Sequence, residues 1–165
     1  MSVTGDIWES WRAPRRVLRR LLAQGQREDR VLVYLLVGCG LIYVSSWPGL
    51  AQAARLDPSV PLEARLGGGM LAWLALIPLA AYVLAAVSHL LARALGGQGS
   101  FYGARLALFW ALLAASPAWL AQAALGAVAP GAVARIAAAL ALAGFLWLWL
   151  TALLEAERRP ADASA

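Results

Sequence analysis

The stretch VLVYLLVGCGLIYVSSWPGLAQAA, residues 31–54, contains no Asp, Glu, Lys or Arg. A bilayer's hydrocarbon core is about 30 Å thick and takes roughly 20 helical residues to cross, so this run is long enough for one span. Residues 66–92, 106–134 and 136–154 are equally free of formal charge. The third run exceeds a single span, but Gly126, Pro130 and Gly131 supply turn chemistry near its end. Spans are therefore expected at about 31–52, 67–92, 104–125 and 132–154, flanked by an Arg-rich segment, 1–30, and a short tail, 155–165. The fold class is all-α: a polytopic integral membrane protein of four transmembrane helices preceded by an amphipathic N-terminal helix. A soluble four-helix bundle would need polar outer faces, which Val31 to Leu41 and Ile136 to Leu150 do not offer.

Composition agrees with that reading. The 165 residues, enough for one domain, are 62% hydrophobic, with a mean hydropathy of +0.68. The balance excludes a disordered chain and most soluble enzymes. The single cysteine, Cys39, excludes an internal disulfide framework. The first apolar run starts only at Val31 and is too long for the core of a secretory signal, so the first span is expected to stay in the protein.

All fourteen basic residues are arginines, and their placement sets an orientation. Eleven lie in the N-terminal flank, in the loop after the second span (Arg93, Arg105) and in the tail (Arg158, Arg159); only Arg55, Arg65 and Arg135 lie on the other side. The positive-inside rule then puts both termini in the cytoplasm, which four spans require independently. Trp47 and Trp73 fall near the outer interface, and Tyr34, Tyr102, Trp147 and Trp149 near the inner one. Arginine without lysine, in an alanine-rich chain, suggests a GC-rich bacterial genome and hence the cytoplasmic (inner) membrane.

Residues 14–22, PRRVLRRLL, form the most amphipathic segment. Pro14 suits the first helical turn, where its missing N–H is not needed. At roughly 100° per residue, Arg15, Arg16, Arg19 and Arg20 share one face and Val17, Leu18, Leu21 and Leu22 the other. Ile7 and Trp11 join the apolar side if the helix runs on through Pro14. The expected role is membrane-surface binding by Trp11, Arg15, Arg16, Arg19 and Arg20, with the apolar face among acyl chains and the arginines at anionic headgroups. The alternatives are a helix packed on the protein's own loops and a nucleic-acid patch. No groove-reading motif or stacking platform accompanies the arginines, so nucleic acid is not an expected partner.

Within the spans chemistry is sparse. His89 stands beside Ser88 with no second His, Cys or carboxylate within helical reach, which disfavours a metal site, and an interfacial imidazole bonded to a carbonyl or headgroup is the simpler reading. Ser88 and His89 point about 100° apart on a helix and form no dyad. No catalytic set, metal site or cofactor site is expected, and the absence of span carboxylates argues against a proton-driven pump. Gly38, Gly40, Gly67, Gly68 and Gly69 allow close helix approach, suiting a protein partner or a homo-oligomer. Helix kinks are expected at Pro78 and Pro117, with serine hydroxyls or a neighbouring helix satisfying the freed carbonyls.

Between the second and third spans the chain reads Gly96-Gly97-Gln98-Gly99-Ser100-Phe101-Tyr102-Gly103-Ala104-Arg105-Leu106-Ala107-Leu108-Phe109-Trp110, followed by Ser116-Pro117. It resembles bacterial Yip1-domain proteins, in which a Gly-Gly-x-Gly-Ser/Thr-aromatic turn leads into a proline-containing span. Trp11-Arg12-Ala13-Pro14-Arg15 is similar to the start of the same family's members, and the likeness covers most of residues 7–154. On physical grounds Gly96, Gly97 and Gly99 permit positive φ, and Ser100 can cap the next helix. The resemblance implies a polytopic membrane protein; eukaryotic members are linked to vesicle trafficking and small GTPases. Members commonly have five spans rather than four, and the Asp-Leu-Tyr-Gly-Pro-type motif of the eukaryotic branch is missing, so GTPase binding is carried to no residue. The expected function is a non-enzymatic Yip1-like protein that organises or interacts with membrane components. A small transporter or channel subunit is the alternative, and an intramembrane enzyme ranks behind both.

Overall fold

The computed structural model describes residues 2–129 and 131–158; Pro130, Arg159 and the rest of the tail lie outside them. The chain forms α1 (Val3–Ser10), α2 (Pro14–Leu22), α3 (Glu28–Leu56), α4 (Leu62–Leu71), α5 (Ile77–Ala94), α6 (Phe101–Val128) and α7 (Ala132–Glu157). A π-helical turn, Ala72–Leu76, joins α4 to α5, so that Leu62–Ala94 is one continuous rod. Four helices are thus long and apolar enough to cross a membrane: α3, the α4–α5 rod, α6 and α7.

Local chemistry accounts for the ends and the irregularities. Glu28 and Asp29 sit in the first turn of α3 and Arg55 in its last, each complementing the helix dipole. At Pro78 the structure has the π turn immediately upstream, in which the Ile77 N–H reaches back to Ala72 O; the wider loop of backbone accommodates the proline. Pro117 removes the N–H that would have served Leu113 O, and the Ser116 hydroxyl donates to that carbonyl at 2.8 Å instead.

α6 is the central helix. From Tyr102 to Ser116 it is buried on almost every side, touching α3, α5, α7 and α1. Gly38 lets α3 approach closely: a β-carbon there would lie 3.1 Å from the backbone nitrogen of Leu113. The outer surfaces carry leucines instead, among them Leu79, Leu90, Leu91 and Leu140, each more than half exposed. Such a surface is inverted relative to a water-soluble bundle, as hydrocarbon requires. Both ends of the described chain gather at one end of the bundle, the proximal end, where Arg19 pairs with Glu155 and the Gly99 N–H meets Glu157.

α2 starts at Pro14, in the first turn as expected, and the chain breaks at Trp11–Ala13 into a helical hairpin, so Ile7 and Trp11 do not continue the same helix. Two expectations need correction. Residues 155–157 are not tail but the last turn of α7, with Glu155 and Glu157 buried, Glu155 against Arg19 and Glu157 against His89 and the Gly99 N–H. Tyr34 and Tyr102 are buried inside the bundle rather than in an interfacial belt: Tyr34 packs edge-on to Trp110, and the Tyr102 hydroxyl donates to Gly25 O while accepting from the Arg27 N–H.

Candidate functional site

The α1–α2 hairpin docks into the proximal half of the bundle, and each residue that holds it is identifiable. Trp11 is the wedge. Its Nε1–H donates to Ala114 O at 3.0 Å, beside the Pro117 break, and its ring fills the notch left by Gly144, where a β-carbon would lie 2.6 Å from Trp11 Cη2. Next to it the Trp110 Nε1–H donates to Ser10 Oγ at 2.9 Å, and Ser10 Oγ donates to Asp6 O at 2.7 Å. At the other end of α2, Leu22 reaches the face of Gly103.

Between those two anchors α2 lies along α7. Val17 and Leu18 are wholly inaccessible, and Leu21 and Leu22 nearly so, in one cluster with Leu148, Ala152 and Ala156. This corrects the expectation that the apolar face rests among acyl chains: α7 presents alanines there, and a close protein surface takes the place of lipid. Trp11 is likewise inside the bundle and not at the membrane surface.

The arginines divide by partner. Arg20 is clasped within the hairpin, its Nη2 donating to Asp6 Oδ1 at 2.7 Å and to Glu9 Oε2 at 2.8 Å. That bond, more than any other influence, holds the Glu9 carboxyl below its ordinary pKa and raises that of Arg20. Arg20 is therefore removed from the expected headgroup-binding set by its own acids. Arg19 is exposed and pairs with Glu155 at 3.1 Å. Arg12, Arg15 and Arg16 are exposed, and no ion pair engages them among the described residues.

The second proximal feature is the glycine turn. Gly96 adopts φ +94°, a conformation glycine tolerates. Gly97 and Gly99 are required for space: a β-carbon at Gly99 would lie 2.7 Å from Ala156 O, and one at Gly97 2.8 Å from Glu157 Oε2. Ser100 is the N-cap of α6, its Oγ accepting from the Gly103 N–H at 3.1 Å. The turn closes over the end of α7, where the Gln98 N–H donates to Glu157 O at 2.8 Å and Glu157 Oε2 accepts from the Gly99 N–H at 3.2 Å.

Glu157 also supplies His89 with the carboxylate that helical spacing did not reveal. His89 Nδ1 lies 2.7 Å from Glu157 Oε1, both side chains almost fully buried, and the imidazole packs on Phe101. The one available signal was that Glu155 and Glu157 are the first acidic residues after Glu63. Gly144, Ser10 and Trp110 carried no comparable signal. Among the described residues, no group of three or more His, Cys, Asp or Glu side chains is arranged to hold a metal ion.

No curated protein and no solved structure matches the chain. A family model does: the Yip1 domain matches residues 8–162, from the α1–α2 hairpin that wedges Trp11 into the bundle through the glycine turn and beyond the last turn of α7. The chain belongs to the Yip1-domain family of membrane proteins.

Proposed function

We propose that this protein is a non-enzymatic organiser of the cytoplasmic leaflet, holding anionic lipid headgroups with Arg12, Arg15 and Arg16 and drawing them inward along the α2 flank. The observation that carries this reading is the height at which α2 is docked. Ala114 and Gly144, the contacts of Trp11, lie halfway along α6 and α7. At 1.5 Å per residue, Trp11 stands roughly 20 Å in from the proximal end of α7. Arg12 beside it is therefore level with acyl chains on the other flanks of the bundle, and Arg15 and Arg16 stand between that level and Arg19, which meets Glu155 at the proximal end.

Bare guanidinium groups at that depth are costly, and the documented relief is snorkelling together with local thinning and headgroup penetration. The apolar face of α2 is locked in protein, so the helix cannot roll its arginines away. The distribution of arginines favours cytoplasmic termini, and the lysine-free composition supports a bacterial inner membrane. A solute pathway is less well supported: the two largest cavities described share no lining residue.

The test is lipid enrichment around the full-length protein extracted in polymer-bounded bilayer discs. Wild type should retain about threefold more phosphatidylglycerol relative to phosphatidylcholine than the R12Q/R15Q/R16Q variant. Equal enrichment in both would overturn the proposal, as would specific solute flux in proteoliposomes that the variant preserves.

A further inference from the structure

At the distal end of the bundle, remote from the hairpin, α3, α6 and α7 line an open cavity of about 940 Å³. Along α3 its lining runs from Ser45 and Ser46 to Arg55, about 15 Å of helix rise. Across from α3 it takes in Gln122 of α6 and Arg135 of α7. Arg55 belongs to the last turn of α3 and Arg135 to the first turn of α7, so both cations stand at the membrane-interface level.

Two features give this cavity a ligand chemistry. Neither Arg55 nor Arg135 has an ion-pair partner among the described residues, whereas the third distal arginine, Arg65, is held by Asp57 at 3.0 Å. No acidic side chain lines the cavity. Two exposed guanidinium groups from separate helices, with the Gln52 and Gln122 amides beside them, match a phosphate. Deeper in, the wall turns apolar at Pro48, Leu50 and Ala123, and the Ser45 and Ser46 hydroxyls are already spent on Ile42 O and Tyr43 O.

We propose that this cavity binds one anionic phospholipid of the distal leaflet, its phosphate between Arg55 and Arg135 and its glycerol and first acyl carbons along Pro48, Leu50 and Ala123. A free phosphate would use the cationic rim and leave the apolar depth empty; a phospholipid uses both. The site is independent of the arginines on α2 and lies in the opposite leaflet.

The experiment is photocrosslinking of the full-length protein in bilayer discs with a photoactivatable phosphatidylglycerol, its adducts mapped by peptide mass spectrometry. Adducts are expected within residues 45–55 and 122–135, reduced at least fivefold in R55Q/R135Q and unchanged in R15Q/R16Q. Ala123→Trp, which fills the apolar depth and leaves both charges, should give a similar loss and decides the matter if the arginine variant fails to fold. Equal labelling by a phosphatidylcholine probe would overturn the proposal, as would adducts confined to other peptides. Loss of labelling in millimolar inorganic phosphate would overturn it in favour of a free anion.

Discussion

His89 of α5 and Glu157 in the last turn of α7 meet at 2.7 Å across the proximal end, both nearly fully buried. Glu157 ties α7 to two elements at once, since its other carboxylate oxygen accepts from Gly99 in the turn and its backbone carbonyl from Gln98. Removing one partner of a buried hydrogen bond leaves the other unsatisfied, typically at about 1–3 kcal/mol. Glu157→Ala should therefore lower thermal stability in detergent far more than Glu157→Gln, which keeps an acceptor for the Gly99 N–H. Equal effects of the two substitutions would mean that the acceptor kept by Gln contributes nothing to the proximal end.

The glycine turn makes a sharper steric prediction. A methyl group at Gly99 would be driven into Ala156 O at 2.7 Å, a backbone atom that cannot rotate aside. Overpacking of this kind costs about 1–3 kcal/mol, so Gly99→Ala should destabilise by that amount. Gly40, in the middle of α3, has open space where its β-carbon would go. Gly40→Ala should be neutral or stabilising by up to about 1 kcal/mol, because alanine is the better helix former. Chemical denaturation of the two variants side by side measures the contrast.

How far the sequence carried this architecture depends on which solvent each residue must satisfy. The four uncharged runs were legible because hydrocarbon imposes a length and forbids unpaired charge, constraints that act along the chain. The cap at Ser100 and the helix start at Pro14 were legible for the same local reason. The docking of α2 was not, because Val17, Leu18, Leu21 and Leu22 suit an acyl chain and an alanine-faced helix equally well. His89 was read alone because its partner is 68 residues away, beyond any helical spacing rule. The distal arginines were counted only for topology, since nothing in the sequence brings Arg55 and Arg135 to one cavity.

The Trp11 wedge separates two contributions. Trp11→Phe keeps most of the ring in the Gly144 notch and loses one hydrogen bond to Ala114 O, about 1 kcal/mol. Trp11→Ala also empties the notch, and comparable losses of a buried aromatic run to about 3–5 kcal/mol. Limited trypsin digestion reads the difference directly, because Arg12, Arg15 and Arg16 become cleavable when the hairpin leaves the bundle. Cleavage should be slow in wild type, modestly faster in Trp11→Phe and rapid in Trp11→Ala; indistinguishable rates would show that Trp11 does not hold the hairpin.

Acid should loosen the hairpin from within. The Arg20 hydrogen bond holds the Glu9 carboxyl below its ordinary value of 4.5. A carboxylate whose pKa is depressed by folding contributes stability that is fully present above its unfolded pKa and is lost as the pH falls through the lowered folded value. The Glu9 arm of the clasp should thus be intact near neutrality and begin to weaken as the pH falls through 4.5, where the unfolded carboxyl takes up its proton, on down through the lowered folded value. Glu9→Gln removes that titration and with it the Glu9 share of the clasp at every pH. Accessibility of a thiol-reactive probe to a cysteine introduced at Ser10, buried under the clasp, should rise on acidification in wild type and should start higher but change less in Glu9→Gln. An identical acid response in both proteins would place the pH sensitivity in another group of the bundle.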